Sequence, residues 1–164
     1  MTTLYDLEQI STSGVLTSLR YRIADTTARH LMPHTDWALR ATLVSVFMYH
    51  GIQKLTHLER MSEMLQLPLF IVLLVALAET VGGVLIVLGG FSKISSVADW
   101  LTRIGATMIV PVMVGAIAMV HWGQWSFVAN PTHPMGGMEF QVVLLLVSIY
   151  FIVNGNKPHR RSHE

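Results

Sequence analysis

Residues 68–91 read PLFIVLLVALAETVGGVLIVLGGF, and this stretch decides the fold class. It carries no polar face: apolar side chains fall on every side of a helical wheel. A helix apolar all round is either deeply buried or lipid-facing. About 20 residues suffice to cross the hydrocarbon of a bilayer as a helix. Three further apolar blocks flank it, at about residues 37–55, 98–122 and 138–153. The outer two are short for a span and need some bilayer thinning. The expectation is an all-α integral membrane protein: a four-helix bundle over residues 37–155, an N-terminal amphipathic or interfacial segment over 1–36, and a basic tail over 156–164.

The rest of the composition agrees. Of 164 residues, 52% are hydrophobic and only 13% are charged, about half the usual charged share of a soluble domain. Mean hydropathy is +0.51. A net charge of +1 leaves no electrostatic footprint for nucleic acid. The absence of cysteine removes thiolate chemistry, disulfides and cysteine-ligated metal centres. Redox chemistry would therefore need a bound cofactor or a partner.

Lysine and arginine set the orientation. Arg20, Arg22, Arg29, Arg40, Lys93, Arg103, Lys157, Arg160 and Arg161 fall on one side, and Lys54 and Arg60 on the other. The richer side is expected to be cytoplasmic, with both termini inside a bacterial-type inner membrane. The first 36 residues lack the apolar core of a secretory signal. Val15, Leu16, Leu19 and Ile23 recur there at helical spacing. They suit a helix lying on the membrane surface or docking on a partner subunit. The bilayer and other membrane subunits are thus the expected partners.

Within the spans, Glu79 stands out. It lies about eleven residues into its block, roughly 16 Å below the outer surface at 1.5 Å per residue. An ionisable residue there marks a functional site by default, either handling protons or tying helices by a hydrogen bond. His50 and Lys54 are one turn apart and share a face. Alternating helix directions bring His50, Lys54, His121 and Glu139 to similar depth, with Lys54 and Glu139 as an expected ion pair. Trp122 and Trp125 are interface anchors or the lid of a pocket for a flat apolar molecule such as a quinone. Gly51, Gly82, Gly83 and Gly89 suit close helix packing, and Pro111 should kink its helix. A metal is not expected. Weaker alternatives are His50 and His121 as haem ligands, and copper held by Met48, Met119, Met135, Met138, His121 and His133.

Taken together, YHGIQKL at 49–55, AETVGGVLIVLGGFSK at 78–93, His121, GGMEF at 136–140 and VNG at 153–155 resemble the DoxX family over about residues 37–155. The resemblance implies a small four-helix inner-membrane protein. The family takes its name from membrane subunits of a thiosulfate:quinone oxidoreductase and its terminal oxidase, and other members accompany redox or stress-response systems. Gly51, Lys54, Glu79, Gly82, Gly83, Gly89 and Glu139 match its pattern, which assigns none of them a catalytic role. Two functions follow: a quinone-linked oxidoreductase subunit, or a non-catalytic accessory subunit of a respiratory or photosynthetic complex. A small-solute transporter is a third, since four helices would then require oligomerisation.

Overall fold

A computed structural model describes residues 4–156, with backbone only for residues 4–14, 24–25 and 27–34. The basic tail expected at Lys157, Arg160 and Arg161, and the side chain of Arg29, lie outside the described residues. Every regular element is helical: α1 (Leu4–Thr56), α2 (Leu58–Leu65), α3 (Leu69–Phe91), α4 (Ser95–Ala116), a π-helical turn (Ile117–His121) and α5 (Glu139–Asn154). The chain divides into two compact units, residues 1–36 and 37–164. In the first, Val15, Leu16, Leu19 and Ile23 are helical and exposed.

The second unit holds one core. Leu43 and Phe47 of α1, Ile86 of α3, Ala106, Ile109 and Met113 of α4, and Leu144 and Phe151 of α5 form its buried centre. Two helical runs, Leu69–Phe91 and Ser95–His121, are long and apolar enough to cross a membrane. Only 33% of each apolar window is buried inside the protein. The remaining apolar surface faces outward, as a lipid-facing helix requires and a soluble core helix does not. The helix of α4 continues through Pro111.

Glycine lets α3 and α4 approach closely. A methyl group on Gly105 would sit 2.6 Å from the Gly82 carbonyl oxygen, and one on Gly82 would sit 3.0 Å from the Gly105 carbonyl oxygen. Backbones meeting at this distance gain dispersion contacts that any larger residue would forbid. Gly83 abuts Met48 of α1, and Gly89 abuts Ala98 and Thr102 of α4.

Arg40 does something that a count of surface charges misses. It is only 1% exposed and lies inside the unit, not on the surface that orientation rules consider. One guanidinium nitrogen donates to the Ile86 carbonyl (2.7 Å) and to Thr102 Oγ1 (3.0 Å), and another to Asn156 Oδ1 (2.5 Å). The guanidinium also sits 4.8 Å from the Phe151 ring centroid, a cation–π geometry. Nearby, Arg103 pairs with Asp99 (2.9 Å) and donates to the carbonyls of Ile152 and Val153. A cation on those last carbonyls meets the negative end of the α5 dipole. This cluster ties α1, α3, α4 and the end of α5 together.

Candidate functional site

The charged groups of the opposite end come from facing helices. Glu79 lies on α3 and is 3% exposed. Lys54 comes from the last turn of α1. Its ammonium donates to both carboxylate oxygens, at 3.0 and 2.7 Å. Gly51, one turn before Lys54, makes the approach possible: a side chain there would collide with Thr80, next to Glu79. A carboxylate removed from water must find such a partner or give up its charge. The expected Lys54–Glu139 pair does not form. Lys54 faces α3, whereas Glu139 opens α5 and accepts from the Phe127 backbone N–H at 3.3 Å, pinning the preceding loop.

Lys54 and Glu79 line a cavity of about 840 Å³. Its walls are mainly apolar, from α1, α2, α3, α4 and α5, with His50 and His121 as further polar groups. His50 is exposed, and its ring meets the Tyr49 ring edge-on at 5.3 Å. Five methionines, Met61, Met64, Met113, Met119 and Met135, also border the space. Unbranched thioethers adapt their shape readily to flat or irregular ligands.

His121 enters the cavity wall from the π-helical turn, which shifts the helical register just before the chain leaves α4. Its Nδ1 is 2.9 Å from the Gly136 carbonyl, so that nitrogen carries the proton. Its Nε2 is 2.9 Å from the Gln141 amide nitrogen, which donates to it. Both ring nitrogens of His121 are thus engaged within the protein. Gly136 sits at φ +79°, and a side chain there would strike the Phe127 carbonyl. Gln141 Oε1 is buried without a partner among the described residues.

Of the expected site residues, the cavity gathers His50, Lys54, Glu79 and His121. Glu139 instead borders a second, smaller cavity of about 430 Å³ with Phe127, Met135 and Phe140. Trp122 and Trp125 are exposed on the loop between the π turn and α5, outside the lining of either. Of the candidate copper ligands, Met119, His121 and Met135 border the cavity, whereas Met48, Met138 and His133 do not. Met48 packs on Gly83, and His133 Nε2 bonds to the Trp122 carbonyl at 2.9 Å. Among the described residues, no group of three or more His, Asp or Glu could hold a metal ion. Gln141 was not legible as part of the site. An amide at the start of an apolar helix gives no signal of its own until His121 is placed beside it.

A family model, DoxX, matches residues 36–122, which include α3, α4 and both members of the charged pair. The chain belongs to the DoxX family. DoxX proteins are membrane proteins, and the two long apolar helices accord with that. Among curated proteins, this DoxX chain is similar to "Putative oxidoreductase CatD" of Bacillus subtilis (strain 168), with 29% identity over 122 residues. That match covers 73% of this chain and 78% of CatD. No solved structure matches the chain significantly.

Proposed function

We propose that this DoxX protein is a small inner-membrane subunit of a redox system that binds a quinone, or a molecule of the same shape and polarity, in the Lys54–Glu79 cavity. α1 from residue 37 onward, α3, α4 with its π turn, and α5 form a membrane-spanning four-helix bundle, with both termini cytoplasmic and the cavity in the outer half. The observation that carries the reading is the cavity itself: about 840 Å³, mainly apolar, with a few polar groups in its lining. Such a composition is what a flat apolar molecule with oxygen-bearing ends requires. Lys54 has one ammonium N–H beyond the two directed at Glu79, and it can donate to a ring carbonyl oxygen. His50, one turn away, can donate to the same head. Glu79 would hold or release a proton at the carboxylate as the head changes its protonation. The oxidoreductase name of the CatD relative supports a redox setting.

The test is direct. Lipid extracts of the purified protein should contain quinone in near-stoichiometric amount. Lys54→Met should weaken the binding of added menadione by tenfold or more, measured by calorimetry in detergent. Quinone-free extracts together with no menadione binding would sink the reading.

One observation favours an accessory role instead. Val15, Leu16, Leu19 and Ile23 are exposed on a helix that also bears exposed Arg20 and Arg22, a face suited to a membrane surface or to a partner subunit. Leu16→Glu with Leu19→Glu in the full chain should release co-purifying subunits. Retention of every partner would count against this reading.

A further inference from the structure

Lys54 and Glu79 together carry no net charge, and each side chain is the other's only hydrogen-bond partner among the described residues. The ionisable groups facing Glu79 across the cavity are few. α1 supplies His50 and Lys54, and His57 follows its end; α2 supplies Arg60; the π turn supplies His121; α5 contributes no charge to this lining. Arg60 is exposed, so solvent screens it. His121 uses both ring nitrogens in neutral hydrogen bonds. Lys54 is therefore the cation that any negative head entering this apolar space would meet.

Resting on the quinone-type reading above, we propose that the site admits an anionic ligand only together with a proton, which the Glu79 carboxylate accepts. When an ionised ligand oxygen takes Lys54, Glu79 loses its counter-ion and stands beside a second negative charge. In a space of low dielectric, two carboxylate-like groups around one cation do not both stay ionised. Protonation of Glu79 restores neutrality: the ligand anion pairs with the ammonium, and the carboxylic acid remains hydrogen-bonded beside it. One anion and one proton enter, and no bond other than O–H is made. A neutral quinone, which needs only a donor, binds without the proton. The substrate class that follows is the acidic one: hydroxyquinones and ionised quinol-type phenols, whose retention rises as the medium is acidified.

The experiment uses the full chain in detergent with two probes. Lawsone, a hydroxynaphthoquinone, is ionised between about pH 6 and 8; menadione is its neutral counterpart. Lawsone affinity should rise about tenfold per unit fall in pH, the slope of one linked proton. Calorimetry in two buffers of different ionisation enthalpy should show about one proton taken up. Menadione affinity should be flat. Glu79→Gln should abolish the slope for lawsone, and His50→Gln should retain it. Flat lawsone binding with no proton uptake overturns the inference while menadione binding still upholds the cavity reading. A slope that survives Glu79→Gln but vanishes in His50→Gln overturns it too, by assigning the proton to His50. If neither probe binds, both fall. Should Glu79→Gln fail to fold, infrared difference spectra of the unaltered protein decide: lawsone binding should raise a protonated-carboxyl band, and proton uptake without that band overturns the inference.

Discussion

At the scale of single residues, the Lys54–Glu79 pair divides stability from ligand capture. Breaking a buried ion pair from one side leaves an uncompensated charge, typically costing about 3–5 kcal/mol, whereas replacing both partners with neutral groups is far cheaper. Lys54→Met alone should therefore lower the melting temperature in detergent sharply. Adding Glu79→Gln to it should restore most of the loss. A double variant no more stable than the single one would show that the pair is not buried as described. Both residues were legible in the sequence as charges inside apolar runs. Their pairing was not, because a 25-residue separation says nothing about which faces of two helices meet. Glu139 offered an equally good carboxylate at the expected depth, until the loop claimed it.

At the scale of the element, the α3–α4 crossing is the most exacting contact. Gly105→Val would drive side-chain atoms into the Gly82 carbonyl, where the gap for even one carbon is 2.6 Å. Overpacking of this kind costs about 1–3 kcal/mol. Gly115 is the matched control: a methyl group added there meets nothing within 4 Å. Gly115→Ala should be neutral, or stabilising by up to about 1 kcal/mol through helix propensity. Thermal unfolding of the two variants side by side checks both. The helical class was legible from apolar run length alone. A helix around residues 15–23 was legible from apolar spacing, but its continuity with the first apolar block, the π turn and the burial of Arg40 were not. A π turn depends on one extra residue accommodated by tertiary packing, and Arg40 reads as an ordinary flanking cation until Ile86, Thr102 and Asn156 are seen around it.

At the scale of the whole molecule, the buried ionisable side chains among the described residues, Arg40, Glu79 and His121, fall at two levels. Arg40 and Lys54 are fourteen residues apart on α1, about 21 Å along the axis, with an apolar layer between. Arg40 anchors the level near the α5 C-terminus, and Lys54 the level of the cavity. The proposed orientation puts the second level outward. The chain's lack of cysteine makes this easy to test. Ser126→Cys, on the outer loop, should react with a membrane-impermeant maleimide in intact cells. Ser96→Cys, at the start of α4, should react only after lysis. The reverse pattern would invert the topology.

The length of α5 reaches beyond the protein itself. Its 16 residues extend about 24 Å, short of the roughly 30 Å of an ordinary hydrocarbon layer. In the proposed four-helix bundle, lipids on that flank would shorten or tilt to meet it, at a modest cost for each ångström of mismatch. The protein then has a thickness preference: it should partition toward thinner patches of membrane and reconstitute best in lipids of shorter acyl chain, carrying its cavity with it to wherever the bilayer is already compressed.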